Sequence, residues 1–123
     1  MILGMGIDLL RTERMMHWIR REGLVQRYFH PQELKEAKSR RKGLAESLAA
    51  RFSAKEAFGK ALGCGLRGFA LKEVYVSSSD NGKPEIVVLG KAEELIKSAG
   101  VKRIHLTLTH ELEYVAAMVV LEG

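Results

Sequence analysis

Three side chains could do chemistry together: Asp8, Glu56 and Lys60. Asp8 interrupts the apolar run Ile2 to Leu10. A carboxylate there is unfavourable in a strand and costly to bury unpaired, so it must meet a cation, a donor network or solvent at the strand's end. Glu56 and Lys60 stand four residues apart in a stretch that reads as a helix, and so share a face. By itself that pair is an ordinary surface bridge. Two carboxylates from different elements, with no cysteine or histidine pair beside them, suit a hard cation such as Mg²⁺. That ion keeps several waters and completes its shell with substrate phosphates. Lys60, one turn from Glu56, could then hold a non-bridging phosphate oxygen. A site of this kind performs phosphoryl-type transfer by positioning and charge neutralisation. Thr109 and His110, where a strand meets a turn, add a polar pair. No Walker A sequence, kinase motif set or Gly-x-Gly-x-x-Gly before a helix is present, and no Ser/His/Asp triad can be assembled from a local signature. Cys64 in a glycine loop is not evidence of a nucleophile.

These residues need elements to position them. In Ile2–Leu10, Leu3, Met5, Ile7 and Leu9 alternate with Gly4, Gly6, Asp8 and Leu10, as in a strand with two faces. Gly4 and Gly6 leave room on the second face for another backbone or a ligand. Thr12 offers an N-cap to a short helix running to about Arg21, with Met15, Trp18 and Ile19 as its buried side and Arg14, His17 and Arg21 as a cationic strip. That strip is a solvated face or a docking site for an acidic partner. Pro31 suits the first turn of another helix, with Glu33 nearby. The run Lys35, Lys38, Arg40, Arg41, Lys42 reads as a polar helix giving way to a mobile loop. The long helix Leu44 to Leu62 carries Phe52, Ala57 and Phe58 on its apolar side and is closed by Gly63. A strand Phe69–Ser79, an Asn81-Gly82 hairpin and a return over Glu85–Leu89 follow. Then come a helix Gly90–Ala99 with Ala92, Leu95 and Ile96 inward and two strands, Val101–Thr109 and Tyr114–Leu121. The last is apolar on both faces, which calls for burial against core or another subunit. The order β-α-α-α-β-β-α-β-β indicates an α+β fold with a mostly antiparallel sheet around the long helix.

At 123 residues with 46% hydrophobic and 28% charged side chains, the chain reads as a single globular domain over residues 1–123. One cysteine excludes an internal disulfide and makes a reducing cytoplasm the expected setting. No apolar run approaches the roughly 20 residues that span a bilayer, and the N-terminus reads as a strand and not as a signal peptide, so no membrane is expected. A net charge of +5 favours a polyanionic partner: nucleic acid, an acidic protein or a phosphate-rich small molecule.

Gly6-Ile7-Asp8, the stretch Phe52-Ser53-Ala54-Lys55-Glu56-Ala57-Phe58-Gly59-Lys60-Ala61-Leu62-Gly63, and Thr107-Leu108-Thr109-His110 before Tyr114 together resemble the motifs of the 4′-phosphopantetheinyl transferases. Their order, their spacing and the short chain are similar to the compact, holo-acyl-carrier-protein synthase type. The resemblance covers almost the whole chain, including the Asn81-Gly82-Lys83-Pro84 hairpin and the Leu121-Glu122 ending.

That resemblance implies the phosphopantetheinyl transferase fold and a Mg²⁺-dependent transfer of 4′-phosphopantetheine from coenzyme A to a serine of apo-acyl carrier protein, releasing 3′,5′-ADP. By carry-over, Asp8 and Glu56 bind the metal and Lys60 contacts the pyrophosphate. Arg51, Gly63, Gly65, Asn81, Gly82, Lys83, Pro84, Thr109 and His110 line the nucleotide pocket. Either Glu56 or a metal-held water takes the serine proton. The family's homotrimer, with sites at subunit interfaces, would account for the two apolar faces of the last strand. Its acidic carrier protein would dock on Arg14 and Arg21. Four positions depart from the family pattern. Gly59 sits mid-helix at a cost of about 1 kcal/mol relative to Ala, Cys64 stands where a hydroxyl residue is common, and Thr107 and Thr109 replace the usual serines. The rival class is a non-enzymatic basic nucleic-acid-binding domain, but exposed aromatics do not interleave with its basic residues as a stacking surface requires. No nucleic-acid partner is therefore expected.

Overall fold

The computed structural model describes residues 1–40 and 43–123. Its elements are β1 (Ile2–Arg11), α1 (Thr12–Arg20), α2 (Leu24–Tyr28), α3 (Pro31–Ser39), α4 (Leu44–Leu62), β2 (Val74–Ser78), β3 (Pro84–Val88), α5 (Gly90–Ser98), β4 (Arg103–Glu111) and β5 (Tyr114–Glu122). All strand pairs are antiparallel, in a three-stranded sheet ordered β1-β5-β4 and a separate β2-β3 ribbon. The fold is α+β as the sequence indicates.

α4 is the hub, and two glycines bring it down onto β1. A Cβ at Gly4 would lie 2.0 Å from the Ala61 carbonyl oxygen, and one at Gly6 2.0 Å from that of Ala57. The room those glycines leave is therefore filled by the helix backbone itself. α4 is buried nearly all round, from Leu48 through Ala61, and separates two apolar clusters. Phe58 packs edge-on to Phe69 in one cluster, and Phe52 sits edge-on to Trp18 in the other. Burial of each of these rings stabilises the fold by roughly 1.5–3 kcal/mol. Gly59 now has a reason. A Cβ there would meet the Gly65 carbonyl oxygen at 1.9 Å, because the chain after α4 folds back across the helix. The N–H groups of Cys64 and Gly65 both donate to the Gly59 carbonyl, at 3.1 and 3.0 Å. Gly63, at φ 84°, makes the left-handed turn that starts this return.

Four details depart from the sequence reading. Thr12 does not cap α1: Arg11 is the N-cap residue, no side chain caps the helix, and the Thr12 N–H donates to the Glu113 carbonyl at 2.8 Å. The strand ladder thus runs on into the first N–H of the helix, one of its four unpaired donors. α2 is a single helical turn, too short to leave a periodic signal. The strand expected from Phe69 begins only at Val74. Glu73 Oε1 accepts the Ala70 N–H at 2.8 Å and closes Leu71–Glu73 into a 3-10 turn, despite the strand-like alternation of Leu71, Glu73 and Tyr75. α3 buries Ala37, within the stretch read as polar, as well as Glu33 and Leu34 before it. Arg41 and Lys42, the end of the expected mobile loop, lie outside the described residues.

β5 is the central strand of its sheet. Val115, Ala117, Val119 and Leu121 are buried, while the opposite face is half-buried. Beside that opposite face, Leu3, Met5, Ile7 and Leu9 of β1 stand 42–67% exposed. No helix is long and apolar enough to cross a membrane among the described residues.

Candidate active site

Alternation along β1 turns Asp8 inward, toward α4, and leaves its carboxylate 10% exposed. Ser53 of α4 presents its hydroxyl 3.0 Å from Asp8 Oδ2 and 3.1 Å from the Asp8 carbonyl oxygen. Lys60, two turns further along the same helix, donates to Asp8 Oδ1 at 3.3 Å and to the Ile7 carbonyl at 3.0 Å. Its side chain stays half-exposed. Lys60 is thus bonded to β1, beyond the same-helix pairing with Glu56 that spacing suggested. Ser53 was missed as a site residue, since one serine in a helix gives no signal until its partner strand is placed.

Glu56 is half-buried between Ser53 and Lys60 on α4. Partial burial pushes its carboxyl above the usual carboxylate range, and the charge on Asp8 adds to that rise. The cations Arg14 and Lys60 oppose it. Two carboxylates therefore repel each other across the β1–α4 contact, with an ammonium beside them. Among the described residues no cluster of three or more metal-type side chains occurs. The pair fits a hard cation that takes two protein carboxylates and leaves most of its shell to water and phosphate oxygens.

One concavity borders Glu56, and a second, lined by none of Asp8, Glu56 and Lys60, lies further along α4. An open groove of about 440 Å³ is bordered by Glu56, Arg14, Trp18, Arg21, Tyr28 and Phe52 among others. The Arg14 guanidinium lies over the Phe52 ring, 5.4 Å from its centroid. Two members of the cationic strip thus flank the same carboxylate, while the third, exposed His17, sits 4.0 Å from Glu13. Nearer the N-terminal end of α4, a cavity of about 180 Å³ gathers Arg51, Gly82, Pro84, Thr109 and His110, with Arg40 at its edge. Arg51 is 3% exposed, donating to the Val76 carbonyl at 2.6 Å and to Glu36 at 3.4 Å. His110 Nδ1 stands 3.5 Å from Glu46.

The structure does not bring the other expected nucleotide contacts to that cavity. Gly63 and Gly65 form the return loop beyond α4, where they shape the chain around Gly59. Asn81 turns its Oδ1 into its own hairpin, accepting from the Lys83 N–H at 3.1 Å and from the Ser79 hydroxyl. Lys83 borders a different cavity, between β3, α5 and β4.

The chain resembles known proteins over its full length. The sequence model of the 4′-phosphopantetheinyl transferase superfamily matches residues 4–119. The chain is 46% identical over 123 residues to a protein of Treponema denticola named holo-[acyl-carrier-protein] synthase, covering 100% of both. Its fold superposes with a TM-score of 0.91 on the crystal structure of holo-[acyl-carrier-protein] synthase from Neisseria meningitidis, at 32% identity and 100% coverage of each chain. A Bacillus anthracis holo-(acyl-carrier-protein) synthase in complex with CoA (3′,5′-ADP) gives 0.82 at 32% identity, covering 100% of this chain and 98% of that one. With paired carboxylates on the first strand and the long helix, and a family match across both, the chain belongs to the 4′-phosphopantetheinyl transferase superfamily.

Proposed function

We propose that this protein transfers 4′-phosphopantetheine from coenzyme A to a serine of an acidic apo-acyl carrier protein and releases 3′,5′-ADP, with Mg²⁺ held by Asp8 and Glu56. The observation that carries this reading is the meeting of Asp8, Glu56 and Lys60 at the β1–α4 contact. The names of the relatives and the coenzyme A complex of one of them support it. In the reaction the serine oxygen bonds to the β-phosphorus of coenzyme A, the bridging P–O bond of the pyrophosphate breaks with its oxygen leaving on 3′,5′-ADP, and the serine proton passes to Glu56 or to a water at the site. Lys60, anchored by the Ile7 carbonyl with its ammonium half-exposed, is placed to hold a pyrophosphate oxygen. The cation, when bound, neutralises charge on the pyrophosphate as it develops on the leaving group. Pro84, Gly82 and Thr109 line the nucleotide end, and Arg51 stiffens its wall through bonds to Val76 and Glu36. The setting is a reducing cytoplasm, in keeping with one free cysteine.

The test is mass spectrometry of an apo-acyl carrier protein incubated with this protein, coenzyme A and Mg²⁺. One adduct of about 340 Da, the mass of the transferred group, is expected. An unmodified carrier protein would refute the proposal.

The assembly in this reading is a homotrimer with sites at the subunit contacts. The exposed row Leu3, Met5, Ile7, Leu9 beside Met118 and Val120 supports it, as an apolar sheet face of that size is unusual on a monomer. Light scattering should give three times the 13.7 kDa chain mass, and Ile7→Glu should reduce it to the monomer value. The carrier protein docks on Arg14 and Arg21, which border the groove leading to Glu56. Arg14→Glu should raise the KM for carrier protein by roughly tenfold, the scale of one reversed rim charge, and leave the KM for coenzyme A unchanged. An unchanged dependence on carrier protein would move the docking face elsewhere.

A further inference from the structure

Among the described residues β2 pairs with β3 alone, so its other edge has no neighbouring strand. Unpaired backbone groups on such an edge need partners when buried. Here side chains supply them. The Val74 carbonyl accepts from Lys55 Nζ, the Val76 N–H donates to Glu33 Oε1 at 3.3 Å, and the Val76 carbonyl accepts from Arg51 Nη1 at 2.6 Å. The donors and acceptors are themselves paired. Lys55 Nζ meets Glu33 Oε2 at 2.8 Å, and Arg51 meets Glu36 Oε2 at 3.4 Å. Glu36 also accepts from the Ser77 hydroxyl at 3.2 Å. The two acids are one turn apart on α3 and the two cations one turn apart on α4, so the contacts form two rungs running along β2.

Glu33 and Lys55 are fully buried. Replacing a buried ion pair by apolar groups of the same volume commonly leaves stability unchanged or raised, so stability does not explain these rungs. Apolar side chains could not, however, bond three backbone groups of an edge strand and so fix where that strand lies. The position matters because the ribbon is not hydrogen-bonded to the β1-β5-β4 sheet, yet the two together enclose the cavity. Val76, Ser78, Gly82 and Pro84 come from the ribbon, Thr109 and His110 from β4.

We infer that Glu33, Glu36 and Lys55 are positioning residues: their side-chain ladder takes the place of a missing strand and sets the β2–β3 hairpin at the distance from Thr109 that admits the nucleotide end of coenzyme A. The last clause rests on the reading of that cavity given above. Glu36 is the rung to test, because it is the most exposed of the four and touches no proposed substrate contact except Arg51. Glu36→Ala should raise the KM for coenzyme A on the order of tenfold, as expected for a misplaced binding element. It should leave kcat at saturating coenzyme A and the KM for carrier protein unchanged. Amide hydrogen exchange should accelerate in residues 74–84 and not in 103–122. Glu36→Gln, which keeps an acceptor oxygen, should recover most of both effects. A lower Tm with neither the KM for coenzyme A nor exchange in 74–84 altered would overturn the ladder. Faster exchange in 74–84 with an unchanged KM would overturn its link to the nucleotide. The exchange experiment needs no ligand, so the reading of the cavity fails separately, if Thr109→Val binds 3′,5′-ADP as tightly as the parent does.

Discussion

Glu56→Gln is expected to reduce phosphopantetheine transfer by at least about 10³-fold while leaving the metal-free protein as stable as the parent at neutral pH, or more so. The loss follows from the several kcal/mol of charge stabilisation that a two-carboxylate metal site contributes, about tenfold in rate for each 1.4 kcal/mol. The stability half follows from the raised carboxyl. Burial and the Asp8 charge make the folded chain hold the Glu56 proton more tightly than the unfolded chain does. Such a group contributes its full share of stability below the ordinary carboxylate pKa and loses it as pH rises through the raised value. At neutral pH the folded protein therefore carries a repulsion between Glu56 and Asp8, which glutamine removes. Mg²⁺ should raise the Tm of the parent, since it binds the folded state, and should do so far less for Glu56→Gln. Asp8→Ala should match it in lost transfer but not in stability, because Ser53 and Lys60 lose their partner. Near-normal turnover in either variant would make the metal assignment wrong. A large fall in the Tm of Glu56→Gln would make Glu56 a structural residue instead.

The parts of this protein legible in its sequence are those where one residue type in one position leaves only a few physical explanations. Asp8 in an apolar strand was such a case, and so was the Pro31–Glu33 start of α3, where the Glu33 carboxylate accepts the His30 N–H as expected of a helix N-terminus. The long helix closed by Gly63 was another. What escaped depends on chain crossings that no local pattern records. Gly59 looked like a defect in α4 because the carbonyl of Gly65 above it comes from a loop that only tertiary structure returns to the helix. Lys55 carried no sequence signal of its own. It is fully buried, and burial pushes its ammonium down while Glu33 holds it up, because the partners needed to satisfy it lie on α3 and β2. Helical spacing likewise put Lys60 on the face of Glu56, but could not show that β1 would offer it the Ile7 carbonyl and the Asp8 carboxylate. The glycines of the 63–65 loop and Asn81 also shape their own turns, which motif matching alone did not show.

The closeness of β1 and α4 is what turns two unremarkable carboxylates into one site, and Gly6→Ala should separate them. The added Cβ would stand 2.0 Å from the Ala57 carbonyl oxygen, 2.7 Å from the Ala61 nitrogen and 3.0 Å from the Ala57 carbonyl carbon. All three are backbone atoms of a helix packed on both sides, so no side-chain rotation relieves the contact. Strand and helix must part by on the order of 1 Å to reach ordinary packing distances. Overpacking of this kind costs about 3 kcal/mol, at the upper end of the range for added core methyl groups. Asp8 lies two residues along the same face of β1, and Lys60 bonds to Ile7 between them. The shift is thus passed directly to the groups that hold metal and phosphate. A displacement of that size at a positioned site lowers turnover by about 10²-fold. Calorimetry should show a lower Tm, and saturation kinetics at a temperature where the variant is fully folded should show the loss in kcat together with weaker Mg²⁺ binding. Ala57→Gly in the same chain should restore neither, because the atom struck is the carbonyl oxygen and not the methyl group. Recovery in that double variant, or a Gly6→Ala protein that is destabilised yet retains parental kcat and Mg²⁺ affinity, would mean that the spacing of strand and helix does not set the geometry of the site.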